Sequence, residues 1–587
     1  MKNYKVLAEE ATMQSFFNCY LRETNNFQLT NQSVSNEEGL ILETELPGQK
    51  VTIAAPVKYW SQTGRHRFDF PLFLKNHQST VKLDYITLVS TILKELSLEN
   101  GREGAEDELM LRVILSCQKI RDYLGRRESD ADHLLEADFE YIDAEQSLLL
   151  GHLMHPTPKS RQGLTEREDH LYSPEYKGEF QLHYFKAKNE VIVQDSSLER
   201  SASQEVINQL MAEPAVDNDW LRKTLEHGYS LLPVHPLQAK DMLENKEVKE
   251  LMEKGDLFYL GPIGSPYKAT SSFRTVYNKH SDYMFKFSLP IKITNSLRGN
   301  LQKELDRGVE ISRLLNTEFG EIVSRNFPSF HIIEDPAYIK LNVKNSKAAY
   351  DAVLRQNPYK DKNSNDVSLI AGLCQDHVYE RSSRLFSIIT HLSQQEGRST
   401  DEVSKDWFEK YLSLSFKPIL WLFENYGLAL EAHQQNSLVK LSKGYPEAFY
   451  YRDNQGYYFS EDKAYKLKQH LSALNKSSDT ICTSDVAVER LIYYFFFNHI
   501  FGLINSFGSN GLVSEEVLLD VLRKSLQQHN ESNPLIHSLL HEDKLPCKAN
   551  LLTRFHDMDE LQGSLETQSV YTLVSNPIVS RVGSYEA

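Results

Sequence analysis

The spacing of apolar residues along this chain changes character near residue 380, and that change limits the folds open to it. Residues from about 6 to 26 have helical spacing, and residues 39–60 alternate as strands do, in LILETEL and VTIAAPVKYW. Helical spacing returns over roughly 81–126, and the span from about 140 to 345 mixes strands with shorter helices. After about 380 the chain reads mainly as helix. Phe408, Tyr411, Leu412, Phe416, Ile419, Leu420 and Phe423 form one helical stripe that Gly427 is placed to end. A hairpin is expected next, FYYRD and YYFS around an Asn454-Gln455-Gly456 turn. The fold class is therefore α+β, with a sheet-rich middle and a helical C-terminal part. A chain of 587 residues is too long for one apolar core, so several lobes are expected. The polar stretch RQNPYKDKNSND at 355–366 reads as a loop or a lobe boundary, and the divisions fall at 1–150, 151–380 and 381–587.

Charge and cysteines exclude several function classes. Net charge is −16, from 65 basic against 81 acidic residues, the reverse of the balance a nucleic-acid binder shows. Five scattered cysteines without a CxxC pair read as reduced thiols of a cytoplasmic protein. The N-terminal segment carries acidic residues where a signal peptide needs an apolar run. The most apolar run, Leu491 to Phe507, is interrupted by Asn498, His499, Asn505 and Ser506. It is expected to be a buried helix and not a membrane span.

The richest chemistry lies at 258–300. Thr270, Ser271, Ser272, Arg274 and Thr275 make a compact set of donors suited to phosphate oxygens, without any Walker A pattern. Residues 284–294 then alternate, Phe285, Phe287, Leu289, Ile291 and Ile293 on one side, Lys286, Ser288, Lys292 and Thr294 on the other. Taken alone, this stretch serves equally as a half-exposed strand or as an anion site. A helix is expected to start at Thr294, Asn295 or Ser296, with Arg298 in its first turn, where anions bind well. In GHLMHPTPKSRQG at 151–163, His152 and His155 have a metal-like spacing but no third ligand, and Lys159 and Arg161 make it a basic loop. In LALEAHQQN at 428–436, Glu431, His433, Gln435 and Asn436 offer ligands, and Asp453 follows across the expected hairpin. Two converging carboxylates suit Mg²⁺, although an ordinary polar helix end explains the same residues. Lys548 and Arg554, in LPCKANLLTRF, read as surface residues on chemistry alone.

Together, GHLMHPTPKSRQG, LLPVHPLQ at 231–238, KATSSFRT at 268–275, KITNSLR at 292–298, EAHQQN at 431–436, YRDNQG at 451–456 and KANLLTRF at 548–555 resemble, in order, the signatures of the IucA/IucC family. These are the siderophore synthetases that work without a peptide-synthetase assembly line. One departure is Leu237, where many members carry Trp, and it is expected to alter packing and not chemistry. The resemblance implies a three-lobed cupped hand (thumb, fingers and palm) and a homodimer. It implies an enzyme that adenylates citrate with ATP and Mg²⁺ and passes the acyl group to a primary amine. The likeness runs nearly end to end to the branch that joins citrate to spermidine for petrobactin-type siderophores. It also implies roles for residues. Ser272, Arg274, Thr275, Lys286, Asn295 and Arg298 match ATP-binding positions, with His155 and Lys159 on the basic loop. Thr294, Arg298, His433 and Lys548 match the carboxylate site, and Glu431, Gln435 and Asp453 the Mg²⁺ side. Arg298, Lys286, His155 and His433 are the implied catalytic residues. Other acids (2-oxoglutarate or a citryl monoamide), other amines, and a citrate-binding protein without turnover remain open at this point.

Overall fold

The structure, a computed structural model, describes residues 3–579 except 32–38, 102–105, 137, 226–227, 294–295, 298, 344–348, 377, 380–381, 557 and 559–568; the side chains at 296 and 297 are also outside it. It is a mixed α+β fold, as the change in apolar spacing requires.

The N-terminal part is the helix Tyr4–Thr24, a six-stranded antiparallel sheet between Gln28 and Lys82, and the helices Tyr85–Asn100 and Glu106–Arg126. Phe16, Phe17, Leu42, Ile53, Leu88 and Ile92 share one core, and this core also takes Leu551 and Phe555 from near the other end of the chain. The buried Glu23 carboxylate fixes that contact by accepting the backbone N–H groups of Leu551 and Leu552, each at 2.8 Å. These are the otherwise unsatisfied donors at the start of the helix Asn550–Phe555. Lys548 and Arg554, expected at the surface, are accordingly buried.

The middle of the chain is built on a seven-stranded antiparallel sheet. Its order in space is Ile192–Ser196, Ala337–Leu341, Asp351–Gln356, Tyr283–Phe287, Thr275–Tyr277, Tyr267–Ala269 and Glu179–Phe180. Phe285, Phe287, Ala352 and Leu354 lie in an apolar cluster with residues of the three-stranded sheet 183–188, 229–234 and 257–262 and of the helix Ala202–Met211. Alternation sends Lys286 and Arg355 to the opposite face. Lys286 pairs with Thr275 on one side and Val353 on the other, and Arg355 pairs with Met284. Directly paired residues share a face, so Thr275, Lys286 and Arg355 emerge on the same side of the sheet. The stretch read as a loop at 355–366 thus begins one strand end too early, since Arg355 and Gln356 still belong to the strand.

The C-terminal part packs helices on a four-stranded sheet of Phe330–Ile333, Val367–Leu369, Ser437–Ser442 and Tyr445–Arg452. The expected helical stripe is fully buried but is carried by two helices, Thr400–Leu414 and Phe416–Tyr426. Ser415 separates them, its hydroxyl donating to the Tyr411 carbonyl at 2.8 Å. Gly427 closes the second at φ +67°. The apolar run from Leu491 is buried within the helical segment Ser484–Ser509, π-helical over Ile492–Ile500. Among the described residues no helix is long and apolar enough to cross a membrane.

Two local expectations fail. Residues 445–452 and 457–460 do not form a hairpin. The first strand pairs with 437–442 and 330–333, the second with 428–430 and 481–482, so the Asn454-Gln455-Gly456 turn passes between two sheets. Turn chemistry alone cannot distinguish the two. The helix expected from 294–296 begins at Gln302 instead. The backbone at 292–293 is taken up in pairing with Arg161–Gln162 and Ser296–Leu297, and Glu304 accepts the Leu301 N–H at 2.8 Å to cap the helix. Thr294, Asn295 and Arg298 lie outside the described residues.

Candidate active site

Segments far apart in sequence meet in one cleft of about 290 Å³, lined by residues of 148–161, 271–275, 286, 355, 431–436 and 452–455. Ten of the residues given a role by the family resemblance line it: His155, Lys159, Ser272, Arg274, Thr275, Lys286, Glu431, His433, Gln435 and Asp453. Lys548 does not. Its ammonium lies 6.0 Å over the Tyr493 ring, and its charge reaches Glu431.

One wall is the turn that joins two strands of the seven-stranded sheet. The Thr270 N–H donates to the Thr275 carbonyl at 3.0 Å and the Phe273 N–H to the Thr270 carbonyl at 2.8 Å. Phe273 sits at φ +68°, a costly conformation for a bulky residue, held by its burial and by the Arg161 guanidinium 4.9 Å from its ring. Ser272 Oγ accepts the Thr275 N–H at 3.1 Å. The Thr275 hydroxyl is buried and has no partner among the described residues. A buried hydroxyl without a partner is costly unless a ligand satisfies it.

Cations crowd beside that turn. Arg274 donates to Asn300 Oδ1 at 2.7 Å, and burial lowers its pKa. Arg355 makes a two-pronged contact with Asp335, both bonds 2.7 Å. Lys286 donates to Asn454 Oδ1 and, at 3.3 Å, to Asp453 Oδ1. Burial, with the charge of Arg274, pulls Lys286 down to about 7. Arg452 pairs with Glu145 at 2.6 Å.

The opposite wall is acidic. Burial alone would raise Asp453, but Lys286 and Arg355 hold its carboxyl well below the usual range. Burial and then the charge of Asp453 push Glu431 up to about 7, while the Tyr458 hydroxyl donates to it at 3.1 Å. His433 lies with Nε2 3.9 Å from Glu431 Oε1, and burial lowers it to about 3. Its Nδ1 accepts the Gln435 N–H at 3.2 Å, so the neutral ring presents an Nε2–H to the carboxylate. His499, from the π-helical segment, anchors this loop by bonding the Ala432 carbonyl at 2.6 Å. Gly456 has no replaceable hydrogen, since a Cβ there would run into the Glu431 side chain.

The basic loop forms the third side. Gly151, at φ +79°, lets the loop fold back on Pro158 and Lys159. His155 Nδ1 accepts the Thr157 N–H at 3.1 Å. The Lys159 ammonium is committed to Glu175 and to the Leu148 carbonyl, each at 2.5 Å, and Arg161 shares Glu175 at 2.7 and 2.8 Å. Gln435 is likewise engaged, its amide donating to the Ser271 carbonyl at 3.1 Å.

Sequence reasoning missed Arg355, Arg452 and Glu145. Arg355 was hidden in a polar stretch, and the alternation of Asp351–Gln356 was the signal that it ends a strand. Arg452 stood beside Asp453 within YRDNQG, and Glu145 precedes the basic loop with nothing local to mark it.

Known proteins resemble this chain in sequence and in fold. The IucA / IucC family model matches residues 140–375, and a model described as ferric iron reductase FhuF-like transporter matches 405–563. The chain is similar to a protein of Bacillus anthracis named spermidine-citrate ligase, 43% identical over 99% of each chain. It is 35% identical, over 97% of each chain, to rhizobactin siderophore biosynthesis protein RhbC of Rhizobium meliloti. Its fold matches that of ATP-bound aerobactin synthetase IucA of Klebsiella pneumoniae with a TM-score of 0.87, at 27% identity over 97% of this chain and 100% of the other.

Proposed function

Because the chain belongs to the IucA/IucC family, we propose that it is an ATP-dependent ligase that activates citrate as its adenylate and couples it to an amine, spermidine, in siderophore biosynthesis. The observation that carries this reading is the cleft itself. A Thr275 hydroxyl without a partner among the described residues lies with Arg274 and Lys286, opposite the carboxylates Asp453 and Glu431. Such a set fits a polyphosphate on one side and cationic or metal charge on the other. The likeness to an ATP-bound synthetase supports ATP, and the end-to-end likeness to a protein named spermidine-citrate ligase supports both citrate and spermidine.

Citrate and ATP are both polyanions and repel one another. Arg274, Lys286 and Arg355 offset that repulsion and stabilise charge that develops as a citrate carboxylate oxygen attacks the α-phosphorus and pyrophosphate leaves. The amine nitrogen then displaces AMP from the acyl adenylate, loses its proton and becomes the amide. Ser272, Arg274, Thr275, Lys286 and His155 are assigned to the nucleotide, together with Asn295 and Arg298. His433 is assigned to the carboxylate with Thr294 and Arg298, and Lys548, outside the cleft lining, contributes only its charge near Glu431. Lys159 joins the nucleotide set only by exchanging Glu175 for phosphate. Magnesium, when bound, supplies charge neutralisation on the phosphates, and Glu431 and Asp453 would hold it, with the Gln435 amide oxygen beside them. Among the described residues no group of three or more His, Cys, Asp or Glu is placed to hold a metal, so the rest of the shell falls to phosphate oxygens and water. The separate cores of the N-terminal, middle and C-terminal parts support a thumb, fingers and palm arrangement; assembly as a homodimer belongs to the same reading.

The test is a matrix of acids against amines, scored by pyrophosphate release and product mass. Citrate with spermidine is expected to give the highest kcat/KM. Short monoamines are expected to react poorly even at high concentration, because they forgo binding of the distal ammonium groups. A higher kcat/KM with ornithine or a simple diamine removes spermidine and leaves citrate activation standing. Pyrophosphate release with another acid but not with citrate removes the assignment of citrate.

A further inference from the structure

Glu145 does not line the cleft, yet three of the residues that do are tied to its carboxylate or to one another around it. It lies at 0% exposure on the helix Tyr141–Gln146, directly before the basic loop. Its Oε2 accepts the Ser271 N–H at 2.9 Å, the Ser271 hydroxyl at 2.7 Å and Arg452 Nη2 at 3.1 Å. Arg452 Nη2 also donates to the Gln435 carbonyl at 3.0 Å, and the Gln435 amide donates to the Ser271 carbonyl at 3.1 Å. The contacts close into a ring: Glu145, Ser271, Gln435, Arg452 and back to Glu145. The same helix holds the turn at a second point, since Gln146 Nε2 donates to the Ala269 carbonyl at 3.0 Å.

We propose that Glu145 is a positioning residue for adenylation, which sets the donor turn at Ser271–Thr275 against the acidic wall at Glu431–Asp453. The proposal rests on reading the cleft as the nucleotide and citrate site. Each ring member adjoins a group assigned to the chemistry: Ser271 precedes Ser272, Arg452 precedes Asp453, and Gln435 shares the loop of Glu431 and His433. No backbone pairing links the turn strand Thr275–Tyr277 to the strand Tyr445–Arg452, because they belong to different sheets. The ring therefore fixes a spacing that the sheets leave free. Glu145 also cancels the charge of Arg452. Without it, Arg452 becomes a buried cation facing the cleft with no counter-charge, and a polyanion is drawn to it out of register.

Glutamine at 145 keeps the shape and still accepts from Ser271, but turns an N–H toward Arg452. For Glu145→Gln the expected result is a fall in kcat of about a hundredfold, typical of a small misplacement of reacting groups, with KM for ATP unchanged or lowered. Ser271→Ala, which removes only the hydroxyl arm, is expected to lower kcat about tenfold. The deciding experiment combines the two, with folding of each variant checked by circular dichroism and thermal unfolding. If Glu145 acts through Ser271, the double variant is no slower than Glu145→Gln alone. Losses that multiply to about a thousandfold overturn the proposal, as does wild-type kcat in folded Glu145→Gln. A raised KM for ATP with unchanged kcat overturns it too, because it assigns Glu145 to binding alone. A wild-type protein that releases no pyrophosphate from ATP and citrate removes the underlying reading and the proposal with it.

Discussion

Lys286→Met is expected to cut citrate-dependent pyrophosphate release by on the order of 10²–10³-fold while the protein stays folded. Lys286 is buried in the sheet face that opens on the cleft, beside Thr275 in the strand register and in contact with Asp453 and Asn454. Its ammonium is drawn down to about 7 by burial and by Arg274, so its charge is disfavoured in the free protein. An arriving triphosphate reverses that balance, because the anion favours the charged form. The group is thus placed where its charge is worth most as reaction proceeds. Methionine keeps the length and apolar stem, which limits the change in packing. Steady-state release of pyrophosphate and a thermal unfolding curve decide the matter. A folded variant with near-normal turnover takes Lys286 out of the chemistry.

Asp453→Asn is expected to raise the magnesium concentration needed for half-maximal rate at least about tenfold, the lower end of what even outer-shell partners of a metal cost. Turnover at saturating magnesium is expected to fall as well, with a smaller effect on stability. Asp453 accepts from Lys286 and from Asn436, each at 3.3 Å, and stays ionised among Lys286 and Arg355. Its charge raises Glu431, as two carboxylates facing one site do. A dication relieves that repulsion. Asparagine keeps the shape, loses the charge and sets its amide against Asn436. Magnesium titrations of wild type and variant measure the shift, and identical midpoints and rates place Asp453 outside any metal site.

The cleft was legible in sequence to the extent that its chemistry follows strand period. Lys286 among alternating apolar residues, and hydroxyls clustered just before it, announced a polar face; the fold buries Lys286 and Ser288 of it, ends the strand at Phe287 and leaves Lys292 partly exposed in a separate sheet. The face could not be paired from sequence, because the strand that completes it, Asp351–Gln356, comes from beyond the helices Gln302–Leu315 and Glu318–Asn326. Arg355 reaches the cleft only through that register. The helix start at 294–296 failed for a related reason. Thr, Asn and Ser favour caps, but the backbone at 292–293 pairs as a strand, and the cap that forms uses Glu304 at the third helical position. Glu145 left no local trace, since a carboxylate on a short helix means nothing until Arg452 and Ser271 arrive beside it.

Attack of a citrate carboxylate on the α-phosphorus of ATP carries one carboxylate oxygen into AMP, and the fate of that oxygen tests the proposed reaction. Citrate labelled with oxygen-18 in its carboxylates is incubated with the protein, ATP, magnesium and spermidine, and the nucleotide product is analysed by mass. The prediction is AMP carrying a single labelled oxygen, with unlabelled pyrophosphate and a citryl amide of spermidine. Labelled inorganic phosphate with ADP, or AMP without label, contradicts it.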